Sequence, residues 1–171
     1  MRLTLPRALL NSLGIMEKNE RNISTNKKAY HEYAILETFE CGIALTGTEV
    51  KSIRENGLSL KESYASVKGT EAWLLNLHIK AYSHGNLANG DPDRPRKLLM
   101  HKKEIRYLIG KTKEVGLTLI PTKMYFSKQN RVKVELALAR GKKLHDKRAD
   151  IAKRDSARDV ERALKERQHT N

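Results

Sequence analysis

The chain has 171 residues, a length that fits one domain of ordinary size plus a tail. Its 34 lysines and arginines exceed its 20 aspartates and glutamates, which gives a formal net charge of +14 and a pI of about 9.9. An excess of this size favours a polyanionic partner such as nucleic acid. The single cysteine, Cys41, excludes an internal disulfide and fits the cytoplasm, and no apolar run approaches the roughly 20 residues that cross a bilayer.

Residues 1–25 are expected to be a disordered N-terminal extension. The first fifteen residues contain two arginines and no acid, as targeting peptides do. A proline, an arginine and an asparagine interrupt the apolar stretch, however, and it lacks a small-residue cleavage site. Met16 is an alternative start of translation. Residues 26–140 are predicted to form the folded domain, and 141–171 a basic tail.

The folded domain is predicted to begin with a long strand and a short helix. Residues 29–45 are rich in Tyr, Ile, Phe and Leu, which predicts a strand bent near Cys41. Thr46 and Glu49 have the spacing of a capping box, so a helix is expected over 49–55.

The middle of the chain is predicted to form two strands, a loop and a helix. Strands are predicted over 59–67 and 72–82, followed by a Gly- and Pro-containing loop over 83–96 and an amphipathic helix over 97–116. The side chains predicted to face the core alternate in the second strand or share one stripe of the helix: Trp73, Leu75, Leu77, Ile79, Ile105, Leu108, Ile109 and Val115.

Two more strands complete the domain. Residues 117–126 and 131–139 are predicted to pair through a four-residue hairpin connection. Several antiparallel strands with inserted helices favour a mainly β, α+β fold, in particular a small barrel of the oligonucleotide-binding type with helices packed on it.

A cationic surface is predicted on and before the helix. Between Arg94 and Lys113 there are eight basic residues and one acid. Lys102, Lys103 and Arg106 point away from the apolar stripe, so they form an exposed ridge able to bind phosphates. The alternative is a merely solvated face of the helix.

The tail together with Arg140, residues 140–171, has 11 basic residues and 6 acids but few large apolar ones. Such a segment buries too little to offset the cost of ordering, so we expect it to be disordered in free solution and helical against a partner. A merely solubilising tail is the alternative.

Motifs of catalysis are missing from the sequence. The histidines lack paired ligand spacing, one cysteine cannot anchor a zinc site, and no serine has a nucleophile elbow. We therefore predict neither a cofactor, nor a metal, nor an enzyme. A structural ribosomal protein that uses its basic surface on rRNA is the second hypothesis from the residues.

Several ordered blocks resemble the small protein B (SmpB) family, the tmRNA-binding proteins of bacterial trans-translation. The resemblance extends from about residue 26 to the C-terminus. Its most distinctive block is GKKLHDKR at 141–148, which follows a strand ending in ALAR. The other blocks are HEY at 31–33, FE at 39–40, GTEVKSIR at 47–54, SY at 63–64, RKLL at 96–99 and HKKE at 101–104.

This resemblance implies an RNA-binding adaptor. Family members bind the tRNA-like domain of tmRNA and bring it to stalled ribosomes, where the body mimics the anticodon arm and the tail enters the empty mRNA channel beside the small-subunit decoding centre. Elongation factor Tu and alanyl-tRNA synthetase are implied as partners through charged tmRNA, and the protein itself is expected to be a non-enzymatic monomer.

The resemblance also assigns site residues. Glu40, Leu99 and His101 match positions that contact tmRNA, and the neighbouring cations Arg96, Lys97, Lys102 and Lys103 are expected to hold its phosphates. Glu40 should accept hydrogen bonds from a base edge or hydroxyl, because an acid repels phosphate. The ribosome-facing residues implied are His31, Lys142, Lys143, His145, Asp146, Lys147 and Arg148.

Overall fold

The computed structural model describes residues 21–55, 57–85 and 89–143. Its strands are β1 (Arg21–Thr25), β2 (Tyr33–Ile43), β3 (Leu58–Ser59), β4 (Tyr64–Lys68), β5 (Glu71–Leu75), β6 (His78–Ile79), β7 (Arg96–Leu99), β8 (Leu117–Phe126) and β9 (Val132–Gly141). Its helices are α1 (Lys27–Glu32), α2 (Gly47–Arg54) and α3 (Lys102–Lys111). None of these helices is long and apolar enough to cross a membrane.

Six antiparallel strands form a closed barrel. Their order is β8, β4, β5, β7, β2 and β9, and β9 pairs back onto β8. Strand β1 adds to the free side of β8. The β4–β8 seam is weak, because one registered pair, Ala65 with Leu119, joins these strands in the described residues. The prediction of a small antiparallel barrel with packed helices is confirmed.

The core fills the barrel with side chains from its different strands. Leu74, Leu98, Leu119, Met124 and Leu136 are all at most 1% exposed and belong to one apolar cluster. Burying each such side chain contributes roughly 1.5–3 kcal/mol. Because the interior is filled, any RNA has to bind on the outside of the barrel.

Asn26 explains why α1 interrupts the strand expected over 29–45. Its buried side-chain oxygen accepts a hydrogen bond from the Ala29 N–H at 3.0 Å, which caps the helix, and its amide donates to the Leu60 and Pro121 carbonyls. Strand β2 therefore starts only at Tyr33.

The bend in β2 and the start of the folded domain also differ from expectation. The irregularity in β2 lies opposite β9 between Ile35 and Glu37, rather than near Cys41. Arg21–Thr25, assigned to the disordered extension, form β1, because their backbone pairs with β8. Residues 1–20 lie outside the described residues.

Asn76 changes which side chains of the second predicted strand face the core. Ala72 and Leu74 are buried in β5, whereas Trp73 is half-buried, so the predicted inward face is wrong there. Asn76 adopts a left-handed backbone conformation with φ 55°, which breaks the alternation. After this break Leu77 and Ile79 are buried, as predicted.

The helix expected over 97–116 is shorter, because its first residues belong to strand β7. Leu98 pairs with Ala72 on one side and with Ile43 on the other, and α3 begins only at Lys102. Ile105 and Leu108 are buried as predicted. Val115 is 98% exposed, because the helix ends at Lys111 and Val115 lies in the turn before the strand that starts at Leu117.

A buried carboxylate fixes α2 against the barrel. Thr46 and Glu49 form both hydrogen bonds of the predicted capping box. The Glu49 carboxylate also accepts two hydrogen bonds from Arg94, at 2.9 and 2.6 Å, and one from Arg96 at 2.8 Å. Arg96 donates further to the Leu77 and Pro92 carbonyls. The cluster thus joins α2, β7 and the segments before β6 and β7.

The environment of Glu49 changes its acidity. Burial raises the pKa of the carboxyl, but the hydrogen bonds from Arg94, from the Thr46 N–H and from Arg96 outweigh burial and hold the pKa at about 2. A carboxyl with a depressed pKa stabilises the fold above its unfolded pKa, near 4.5, and loses that contribution as the pH falls towards 2.

We expect Glu49→Gln to remove stability at pH 7 but much less at pH 3. A pKa depressed by this much corresponds to about 3 kcal/mol of unfolding free energy at neutral pH. Urea denaturation of the wild type and the variant at the two pH values measures the gap, that is, the difference between their free energies of unfolding. Glu62→Gln is the matched control, because the Glu62 side chain is 73% exposed in its ion pair with Lys28 and should give little gap at either pH. A Glu49 gap that is equal at both pH values would contradict the assignment.

Candidate nucleic-acid interface

Strand β7 decides which of the predicted RNA contacts reach the surface. Arg96 and Leu98 are at most 1% exposed, whereas Lys97 is half-buried and Leu99 is 55% exposed. This alternation is the period of a strand with one face on the core. The prediction that Arg96 holds a phosphate is therefore wrong for the folded chain, since its guanidinium is committed to Glu49 and to backbone carbonyls.

Helix α3 places three other predicted residues beside Leu99. His101 is the N-cap residue, and its backbone N–H donates to the Glu104 carboxylate at 2.9 Å. Lys102 and Lys103 in the first turn are exposed, because Ile105 turns the opposite face towards the barrel. The cationic ridge predicted on this helix is thus accessible to a phosphate backbone.

Glu40 reaches the same region from the neighbouring strand β2. Its side chain is partly exposed. One carboxylate oxygen, Oε2, accepts a hydrogen bond from the Tyr125 hydroxyl, and Nζ of Lys133 lies 3.5 Å from Oε1. Sequence analysis missed both partners. The short hairpin indicates that Tyr125 and Lys133 are neighbours, but only the barrel brings Glu40 to them.

These side chains surround one depression, which we call the β7–α3 depression. It has a volume of about 560 Å³. The residues that line it are Glu40, Thr70, Glu71, Lys97, Leu98, Leu99, Met100, His101, Lys102, Glu104, Ile105 and Lys133. Five of the seven residues predicted to bind tmRNA are therefore neighbours, Lys103 lies on the adjoining face of α3, and Arg96 lies beneath.

The depression combines charge with one exposed apolar side chain. Lys97 forms an ion pair with Glu71, whose position in the site was not predicted. Lys102 and Lys133 supply further positive charge, while Leu99 offers an apolar contact. Such a surface can hold phosphates at its lysines and pack a base or ribose on the leucine, with carboxylates to accept hydrogen bonds.

Gly42 allows Leu99 to occupy its position. The two residues are paired across β2 and β7. A Cβ added at Gly42 would lie 3.1 Å from Cβ and 3.4 Å from Cδ1 of Leu99. The absence of a side chain at Gly42 thus lets the leucine lie close over β2 at the rim of the depression.

Three of the residues predicted to face the ribosome lie together at the other end of β2. The backbone N–H of Lys142 donates to the Glu32 carbonyl at 2.8 Å, and its Nζ donates to the Tyr30 carbonyl at 3.1 Å. Lys142 therefore contacts both neighbours of His31, in the last turn of α1, and Lys143 follows directly. The other predicted ribosome-facing residues, His145, Asp146, Lys147 and Arg148, lie outside the described residues.

The residues predicted to bind tmRNA and those predicted to face the ribosome are well separated. Glu40 lies seven residues after Tyr33, the first residue of β2, and a strand rises about 3.3 Å per residue. About 23 Å of strand therefore lies between the β7–α3 depression and the end of the barrel that carries His31.

Cys41 is buried, and its environment suppresses its reactivity. Burial raises the pKa of the Cys41 thiol to about 12, with smaller contributions from the Glu104 and Glu40 carboxylates. The thiol is protonated at neutral pH and is a poor nucleophile. Within the described ranges, no three His, Cys, Asp or Glu side chains cluster closely enough to hold a metal ion.

A closed antiparallel barrel with cations and an exposed apolar group around an outer depression is typical of the class of small nucleic-acid-binding barrel proteins. A family model described as "SmpB protein" matches residues 23–166. The chain belongs to this family.

Similar proteins agree with the family. The chain is 57% identical over 148 residues to the SsrA-binding protein of Carboxydothermus hydrogenoformans, covering 86% of this chain and 99% of the relative. It is 59% identical over 143 residues to that of Thermosipho africanus, covering 84% and 96%. A solved chain described as "tmRNA-SmpB: a journey to the center of the bacterial ribosome" matches with a TM-score of 0.62 and 50% identity, over 72% of this chain and 86% of that one.

We expect Gly42→Ala to displace Leu99 and to weaken RNA binding several-fold. The added methyl group meets the Leu99 side chain at a distance that requires a shift of a few tenths of an ångström. The Leu99 methyl resonances report this shift, and titration with RNA reports the affinity. Gly47→Ala is the control, because a Cβ there has no neighbour within 4 Å. Unchanged Leu99 resonances in Gly42→Ala would contradict the close approach.

Proposed function

We propose that this chain binds the tRNA-like domain of tmRNA at the β7–α3 depression and delivers it to stalled ribosomes for trans-translation. Membership of the SmpB family and the similarity to SsrA-binding proteins support this role. The single observation that carries the choice of surface is the convergence of Glu40, Leu99 and His101, from three different elements, on one depression.

The roles of the side chains follow from their chemistry. Lys97, Lys102 and Lys103 hold phosphates, and their contacts fix the position of the RNA without reading its sequence. Leu99 and His101 pack against exposed bases or riboses. Specific RNA recognition favours loops with unstacked bases, such as those of a tRNA-like elbow, because these leave base edges accessible.

The opposite end of the barrel is assigned to the ribosome. His31, Lys142 and Lys143 face the small-subunit decoding centre, and the tail with His145, Asp146, Lys147 and Arg148 enters the empty mRNA channel. The separation along β2 supports this division, because RNA held at the β7–α3 depression leaves the His31 end accessible. The body then stands where the anticodon arm of a tRNA would.

The protein acts by binding rather than by catalysis in this proposal. Elongation factor Tu and alanyl-tRNA synthetase meet it through charged tmRNA, and it works as a monomer in the cytoplasm, where ribosomes translate. One domain that joins one RNA to the ribosome needs no second copy.

We expect Leu99→Ala to weaken binding of the tRNA-like domain about tenfold, with little loss of protein stability. Truncating an exposed leucine costs the fold little, but it removes apolar contact with the RNA. Leu36→Ala is the matched control, because Leu36 is 51% exposed on β2 and does not line the depression. Filter binding with labelled RNA measures both variants, and equal affinity of the two variants would contradict the assigned surface.

We expect truncation after Lys143 to preserve tmRNA binding but to abolish peptide tagging on stalled ribosomes. The shortened chain keeps the Lys142 contacts with α1 and every residue of the β7–α3 depression. RNA titration and a reconstituted tagging reaction measure the two steps separately. Full-rate tagging by the shortened chain would contradict the proposed role of residues 144–171.

A further inference from the structure

Glu40 is an unusual group for an RNA-binding surface. A carboxylate repels phosphate, so it contributes to binding only if it is aimed at a hydrogen-bond donor of the RNA. Several cations border the depression, and a freely rotating glutamate could pair with one of them instead. Recognition through Glu40 therefore requires something that fixes its carboxylate.

Tyr125 supplies such a constraint. Its hydroxyl donates to Oε2 of Glu40, and the tyrosine is only 4% exposed. Glu40 and Lys133 line the β7–α3 depression, whereas Tyr125 does not. The hydroxyl thus holds the carboxylate from beside the depression rather than from within it.

Two lysines accompany this contact. Lys133 pairs with Tyr125 across β8 and β9, and its Nζ lies 3.5 Å from Oε1 of Glu40. This distance exceeds the usual 2.7–3.2 Å of an N–H···O hydrogen bond, so the lysine acts mainly as a nearby charge. Nζ of Lys123 lies 5.0 Å from the centre of the Tyr125 ring, within the range of a cation–π contact. Side chains of β8, β2 and β9 thus form one connected group, Lys123, Tyr125, Glu40 and Lys133.

We propose that Tyr125 is a positioning residue for RNA recognition. It orients Glu40 so that the carboxylate accepts a hydrogen bond from a base N–H, while Lys133 offsets the repulsion between the carboxylate and the RNA backbone. A base edge is the favoured donor, because the exposed Leu99 on the same depression offers an apolar contact to a base. This inference rests on the proposed function and deepens it.

A double-mutant cycle on the full chain tests the proposal. We expect Tyr125→Phe to weaken binding of the tRNA-like domain about tenfold, as is typical for loss of a hydrogen bond to a charged group. In a Glu40→Ala background the same change should alter the affinity less than twofold, because the group that Tyr125 positions is gone. Tyr107→Phe is the matched control, since it removes a comparable hydrogen bond, from Tyr107 to Glu37 at 2.7 Å, outside the depression.

Binding to an unrelated RNA of equal length separates positioning from general damage. Such binding depends mainly on phosphate contacts, so Tyr125→Phe should leave its affinity and salt dependence unchanged. Glu40→Asp is a second variant that leaves Tyr125 in place. It keeps the charge but shortens the side chain by one methylene, so the carboxylate no longer reaches the Tyr125 hydroxyl and about the same tenfold loss is expected.

The outcomes distinguish the inference from the proposed function. Equal losses from Tyr125→Phe in both backgrounds, or tight binding of the tRNA-like domain by either Tyr125→Phe or Glu40→Asp, would overturn the positioning role while leaving the function intact. A wild-type chain that binds the tRNA-like domain no better than unrelated RNA would instead overturn the function itself.

Discussion

The geometry of the β7–α3 depression depends on the hydrogen bonds between the Glu49 carboxylate and two arginines. Arg96 is an uncommon residue to find fully buried, and a buried guanidinium needs a carboxylate and carbonyl acceptors around it. Glu49 provides the carboxylate because the capping box of α2 already holds it in place. Since Arg96 must point inwards, the alternation of β7 turns Lys97 and Leu99 outwards. The hydrogen bonds between Glu49 and Arg96 under α2 thereby place Leu99 on the outer side of β7.

The same division between supporting and exposed groups recurs at Glu40. Tyr125 is buried and donates a hydrogen bond to the carboxylate, while Glu40 itself borders the β7–α3 depression. At Glu40 a partly exposed carboxylate is fixed by a buried tyrosine, which reduces the conformational freedom that binding would otherwise remove. The barrel also separates this depression from the His31 end by most of the length of β2. The proposed function uses this separation, with one RNA bound at the depression and the other end of the barrel facing the ribosome.

Local signals in the sequence predicted the elements that depend on neighbouring residues. The capping box at Thr46 and Glu49, the bounds of β8 and the hairpin after it are set by contacts over a few residues, and the structure has all three. Trp73 shows where this reasoning fails, because a single left-handed residue, Asn76, changes the alternation in a way that composition does not reveal. The strand β7 was missed for a related reason. Four residues rich in Lys, Arg and Leu suit a helix as well as a strand, and pairing with β2 and β5 decides between them.

The sequence by itself determined the basic character of the chain, the mainly β class and the resemblance to the SmpB family, because charge, periodicity and ordered motifs are properties of the linear chain. It also identified five of the twelve residues that line the β7–α3 depression. Only the tertiary structure decided that Arg96 is a buried support rather than a phosphate ligand, and that Tyr125 and Lys133 belong beside Glu40. The physical reason is that burial and long-range pairing are set by how strands meet around the barrel. A motif fixes the order of the residues, but it does not fix which side chain faces inwards.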